Sequence, residues 1–165
     1  MTELAQGDVA LLETDTAQDL LAANLPARLA FTAADGTPRV VPINFVWNGD
    51  ELVMSGFAPS HKARAIRSHP DVAVTIDTNE APPHVLLLRG RADVTESDGL
   101  LPEYAQAMRK GGAEPVAEYL AAVAERAPRM ERIALRPSWV GVLDFETRFP
   151  GGAPAWMRGE EEGES

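Results

Sequence analysis

Asn48-Gly49 lies between two apolar runs, Arg39 to Trp47 and Leu52 to Ser55, and it constrains the chain more than any other feature. An Asn-Gly pair is the strongest short signal for a hairpin, because a type I′ turn needs positive φ at both central residues. Upstream, Arg28 to Thr32 alternates, with Leu29 and Phe31 on one side, and Asp35-Gly36 supplies a second turn. Residues 27–57 therefore read as a three-stranded antiparallel meander. Before it, residues 1–24 form an acidic segment with a short helix, Thr16 to Asp19 resembling a capping box and Pro26 stopping the helix.

After the meander, residues 59–69 read as one helix, with Ser60 as its cap and Pro70 ending it. Asp71 to Asp77 is a fourth strand with Val72, Val74 and Ile76 on one face, and His84 to Val94 a fifth, its centre Val85 to Leu88 covered on both faces. Two helices follow. Leu101, Tyr104, Ala105 and Met108 give one apolar stripe, stopped by Gly111-Gly112. Pro115 opens the next, with Val116, Tyr119, Leu120, Val123 and Ala127 as its stripe. Arg132 to Arg136 and Trp139 to Phe145 are the last strands, parted at Pro137-Ser138. With no strand–helix alternation, a doubly wound parallel sheet is excluded. The expected fold is mainly β with inserted helices, a six- to seven-stranded antiparallel barrel.

Composition narrows the chemistry. The chain has no cysteine, which excludes disulfides, thiolate catalysis and Cys-ligated metals. His61, His69 and His84 lack ligand spacing, so no metal site is expected. A net charge of −10 disfavours nucleic acid and anionic membranes. No run approaches a membrane span, and no signal peptide is evident at Met1 to Leu4, so a cytoplasmic protein is expected. Residues 151–165 read as a tail whose acidic end, Gly159 to Ser165, is solvated.

Two segments carry possible binding chemistry. In Phe57 to Arg67 a strand gives way to a helix with Ser60 and Lys62 at its start. Helix starts present free N–H groups and favour an anion, whereas a cation there opposes the helix dipole unless an anion offsets it. Lys62 is one of only two lysines, with Lys110. In Val40 to Phe45, Pro42 removes a ladder donor from an apolar strand, which suits an edge, a bulge or a ligand. No catalytic acid or base can be named.

The ordered set comprises Asp35-Gly36, Arg39 to Ile43, Trp47-Asn48-Gly49, Ser60 to Ile66 and His69-Pro70-Asp71-Val72. In that order it resembles the pyridoxamine 5′-phosphate oxidase-like family of flavin-binding split β-barrels, over about residues 25–145. The resemblance implies a flavin-binding domain at residues 25–150 and a homodimer with cofactor sites between the subunits. It places the phosphate of FMN, or alternatively of the deazaflavin F420, near Ser60 and Lys62 with Arg64 helping. It lays the ring against Val41, Pro42, Ile43 and Asn44, with Ser55 and Gly56 nearby, and directs Trp139 toward the other subunit's site. It implies hydride transfer to or from a small organic substrate or nicotinamide, or else a non-catalytic flavin or haem carrier or sensor. The chain lacks a C-terminal arginine- and histidine-bearing signature, so pyridoxamine phosphate is not the expected substrate.

Overall fold

Asn44 interrupts the second apolar run and splits it into β2 (Pro38–Ile43) and β3 (Phe45–Trp47). In the computed structural model, which describes residues 4–112, 116–126 and 129–158, five further strands complete one sheet. They are β1 (Ala27–Thr32), β4 (Leu52–Phe57), β5 (Asp71–Asp77), β6 (Val85–Asp98) and β7 (Arg129–Leu143). The helices are α1 (Asp15–Ala22), α2 (His61–Ser68), α3 (Pro102–Lys110) and α4 (Val116–Arg126). The strand order is β2-β1-β5-β6-β7-β4-β3, with antiparallel pairing throughout. The two edge strands are consecutive in the chain. The sheet therefore curls until its first and last strands are two ends of one segment, which gives a seven-stranded split barrel.

This corrects the expected meander. Residues 38–43 pair only with β1, and residues 45–47 only with β4. Pro42 has no N–H to give a second neighbour, so the ladder changes partner at Asn44. The hairpin turn is also not type I′, because only Gly49 has positive φ, at 104°. Asn48 instead closes a four-residue loop, its Oδ1 accepting from the amides of Asp50 (3.0 Å) and Glu51 (2.8 Å).

The expected break at Pro137-Ser138 is a bulge inside one continuous β7. Arg89 faces Trp139 and Gly90 faces Pro137, leaving Ser138 as the extra residue. Gly90 permits this, since a Cβ there would lie 2.4 Å from the Arg136 carbonyl oxygen. Gly90→Ala is expected to lower stability by about 1–3 kcal/mol, because backbone must move. Urea unfolding measures the loss, and an unchanged midpoint would count against a tight bulge.

The core takes one face of each strand, including Leu29, Leu52, Met54, Ile76, Leu86, Leu88, Ile133, Leu135, Val140 and Val142. Centre-strand β6 is covered on one face only: Leu86 and Leu88 are buried, whereas Val85 and Leu87 are half-buried. Leu11, Ala17, Leu20 and Leu21 from the segment before β1 join the same core. The cap of α1 is Thr14 rather than Thr16, its hydroxyl accepting from Ala17 N, which turns Ala17, Leu20 and Leu21 inward. Beyond β4's reach, the free edge of β7 is taken by the N-terminal segment. Gln6 exchanges two hydrogen bonds with Val142 (2.6 and 2.9 Å), and Gly7 N donates to Val140 O.

Helices α3 and α4 form a satellite core of Leu101, Tyr104, Ala105, Leu120 and Val123 on Met130. Arg132 ties α3 to the barrel through Glu103 at 2.8 Å, and Lys110 donates to Leu21 O at 2.9 Å. The expected Pro115 start, the Ala127 stripe position and the tail from Gly159 lie outside the described residues, as do Met1 to Glu3.

Asp144 closes the turn after β7, accepting from the amides of Glu146, Thr147 and Arg148 and from the Thr147 hydroxyl. Burial raises its pKa, but these donors outweigh it and hold the carboxyl well below the ordinary range. A depressed folded-state pKa stabilises above the unfolded value and is lost as pH falls through the folded one. Asp144→Asn is therefore expected to lose about 1 kcal/mol or less at neutral pH, a difference that shrinks on acidification below about pH 4. Thermal melts of both proteins across pH test this, and a pH-independent difference would refute it.

Candidate functional site

Ser60 has extended geometry (φ −123°) and caps α2, its hydroxyl accepting from Ala63 N at 3.1 Å. Its proton goes to Glu131, whose Oε2 lies 2.5 Å away, while Ser60 N donates to Glu131 Oε1 at 3.3 Å. Ser60 thus shapes the helix start, and its hydroxyl proton is committed there. Among the described residues the amides of His61 and Lys62 have no acceptor, as the first turn of a helix requires.

The side chains of Lys62 and Arg64 project from this turn and have no ion pair or hydrogen bond among the described residues. The other lysine is committed, since Lys110 also sits 4.3 Å from the centre of the Phe45 ring, and burial lowers its pKa. Lys62 Nζ lies over Gly56 of β4, where a Cβ would stand in ordinary contact with it at 3.6 Å. Lys62, Arg64 and Val41 line one cleft of about 600 Å³ with Phe31, His61 and Arg39. Arg39 is already engaged by Asp35 at 3.3 Å, so the uncompensated charge belongs to Lys62 and Arg64.

A second cleft, of about 330 Å³, gathers Pro42, Ile43, Asn44 and Ser55 with Val53, Tyr104, Met108 and Tyr119. Of the sequence-predicted residues, then, Val41, Lys62 and Arg64 meet in the basic cleft, and Pro42, Ile43, Asn44 and Ser55 in the other. Ser55, which lines the second cleft, and Gly56, beside Lys62, are consecutive in β4. Trp139 is not brought to either. Its indole lies under the Arg89 guanidinium, 3.9 Å from the ring centre, and over Gly7 and Gly141.

Two features escaped the sequence reading. Glu131 is 1% exposed and faces Gly56 across the β4–β7 ladder, with Arg67 Nη1 at 3.8 Å from its carboxylate. A lone acid between Met130 and Ile133 in an apolar strand was the available signal. The other is the Tyr104–Tyr119 pair, which share a hydrogen bond of 2.7 Å across α3 and α4. Burial, and then the bond to Tyr119, raise the Tyr104 pKa above its ordinary value, so this hydroxyl stays protonated.

Among the described residues no group of three or more His, Asp or Glu is placed to hold a metal ion, and no helix is long and apolar enough to cross a membrane. A comparison with curated proteins finds no match. Solved structures do match. An F420 reductase is 26% identical, with a TM-score of 0.59 over 75% of this chain and 94% of that one. HutZ, the heme storage protein from Vibrio cholerae, is 19% identical with a TM-score of 0.56 over 76% and 90%. An FAD-binding protein from Mesorhizobium loti is 23% identical with a TM-score of 0.50 over 76% and 87%. The family model for pyridoxamine 5′-phosphate oxidase matches residues 13–144, from the start of α1 through the end of β7, and the chain belongs to that family.

Proposed function

We propose that this chain is a homodimeric flavin-dependent oxidoreductase that binds FMN and moves a hydride to or from a small organic substrate. The observation that carries the reading is the uncompensated pair Lys62 and Arg64 at the start of α2, with Lys62 Nζ set over Gly56. A phosphate there would offset two cations that otherwise oppose the helix dipole. In the second cleft, Pro42 and Ile43 offer apolar strand surface for a flat ring, and Asn44 and Ser55 offer polar groups for its edge. When bound, a flavin supplies the hydride chemistry; the chain binds, orients and shields it. Ser60 serves by holding the helix start through Glu131 and Ala63, and contributes geometry in place of a direct phosphate contact.

One protomer's strand surface covers one face of a ring. Val40 on edge strand β2 is 65% exposed beside it, which suits burial by a second copy. Trp139 enters this reading only through that second copy. The 26% identity to an F420 reductase favours a second reading in which F420 replaces FMN, with Arg39 and Arg64 beside the phosphate.

Fluorescence titration with FMN and with F420, combined with sedimentation velocity, tests the reading. Saturable binding of one of them by a dimer, one cofactor per chain, is expected. A monomer whose melting temperature neither compound shifts would refute it.

A further inference from the structure

Helix α4 adds a separate cleft of about 450 Å³ against the end of β4 and the start of β7. Phe57, Tyr119, Ala122 and Val123 give it apolar walls, and Arg126 and Arg129 share its lining. The volume falls in the range of small-molecule sites. Phe57 and Tyr119 remain 49% and 47% exposed, so two aromatic surfaces stand in water where a ligand could cover them.

The two arginines are not equivalent. Arg129 is neutralised, its Nη2 at 2.7 Å from Glu96 and its Nε at 3.7 Å from Asp98. Arg126 has no acidic partner among the described residues. An apolar site with one uncompensated guanidinium selects a ligand with a hydrophobic body and a single negative charge. Tyr119 lines this cleft and also the cleft of Pro42, Ile43 and Ser55, where its hydroxyl meets that of Tyr104. The two spaces are therefore neighbours, with the hydrogen-bonded Tyr104 and Tyr119 hydroxyls at their boundary.

We infer that this cleft binds an aromatic monocarboxylate whose charge is held by Arg126, and that this is the substrate class. The assignment as substrate rests on the flavin reading above; the binding preference does not. Calorimetric titration of the full chain with 2-naphthoate and with its neutral analogue 2-naphthamide, with and without FMN, tests it. Naphthoate is expected to bind about 10-fold or more tighter than the amide. Arg126→Gln should abolish that preference and leave FMN affinity unchanged. Ala122→Trp, which fills the cleft from a half-buried helix position, should lose both ligands while keeping FMN affinity and melting temperature. No naphthoate binding up to about 10 mM, equal binding of acid and amide, or undiminished naphthoate binding by Arg126→Gln overturns the inference. Naphthoate selectivity with no FMN or F420 binding would overturn the flavin reading and leave the anion site standing.

Discussion

Replacing Lys62 and Arg64 together by alanine is expected to weaken FMN binding by about 2–4 kcal/mol, roughly 30- to 1,000-fold. Lys62→Ala alone should cost about 1–3 kcal/mol through loss of a charge-assisted phosphate contact. The estimate rests on how cations are used across this fold. Arg28, Arg39, Arg67, Arg129 and Arg132 each meet a carboxylate within 3.3 Å. Lys110 is spent on the Leu21 carbonyl and the Phe45 ring. Lys62 is half-buried with nothing to neutralise it among the described residues, and its Nζ lies beside Gly56 of β4. Binding should also weaken with salt, since two exposed or partly exposed charges are screened over about 10 Å at 0.1 M. FMN fluorescence titrations of wild type, Lys62→Ala, the double variant and the control Lys110→Ala, at two salt concentrations, decide the matter. Equal affinities for wild type and double variant would remove α2 from the cofactor site.

Glu131→Ala should destabilise the fold by about 2–4 kcal/mol. Its carboxylate is buried beneath the start of α2 and takes both the amide and the hydroxyl proton of Ser60. Without it these two donors lose their acceptor, at about 1–3 kcal/mol for each group left buried and unsatisfied. Arg67 loses one of its two carboxylates, though Glu96 still holds it at 2.9 Å. Glu131→Gln should fall between wild type and alanine. Its amide oxygen can still accept from Ser60 N, but its NH2 group stands where a carboxylate oxygen took the Ser60 proton, so that O–H loses its acceptor. Urea denaturation at neutral pH orders the three proteins. A glutamine variant as unstable as alanine would show that the charge, rather than the hydrogen-bond geometry, sets the cost.

Lys62 and Glu131 both serve the start of α2, yet only one of them stands out in the sequence. Lys62 was visible because its oddity is local: a cation in the first turn of a helix needs only neighbouring residues to be noticed. Glu131 was not, because its partner Ser60 lies 71 residues away. The same contrast separates Pro42, whose missing N–H announces a special strand position, from Trp139. Trp139 sits at a position that the β7 bulge and Gly7 define only once the strands have paired.

Features encoded within a turn of backbone were legible in the chain alone: the Ser60 cap, the stops at Pro70 and Gly111-Gly112, and the alternation of Val72, Val74 and Ile76. Tertiary structure alone decided the partner exchange at Asn44 that closes the barrel. It also made β7 a single bulged strand, committed the Ser60 hydroxyl to Glu131, and set Arg126 apart from Arg129 beside an apolar cleft. The physical reason is range. Capping, turn chemistry and side-chain alternation depend on φ, ψ and hydrogen bonds among near neighbours, whereas register and charge pairing depend on which distant strands come to lie side by side.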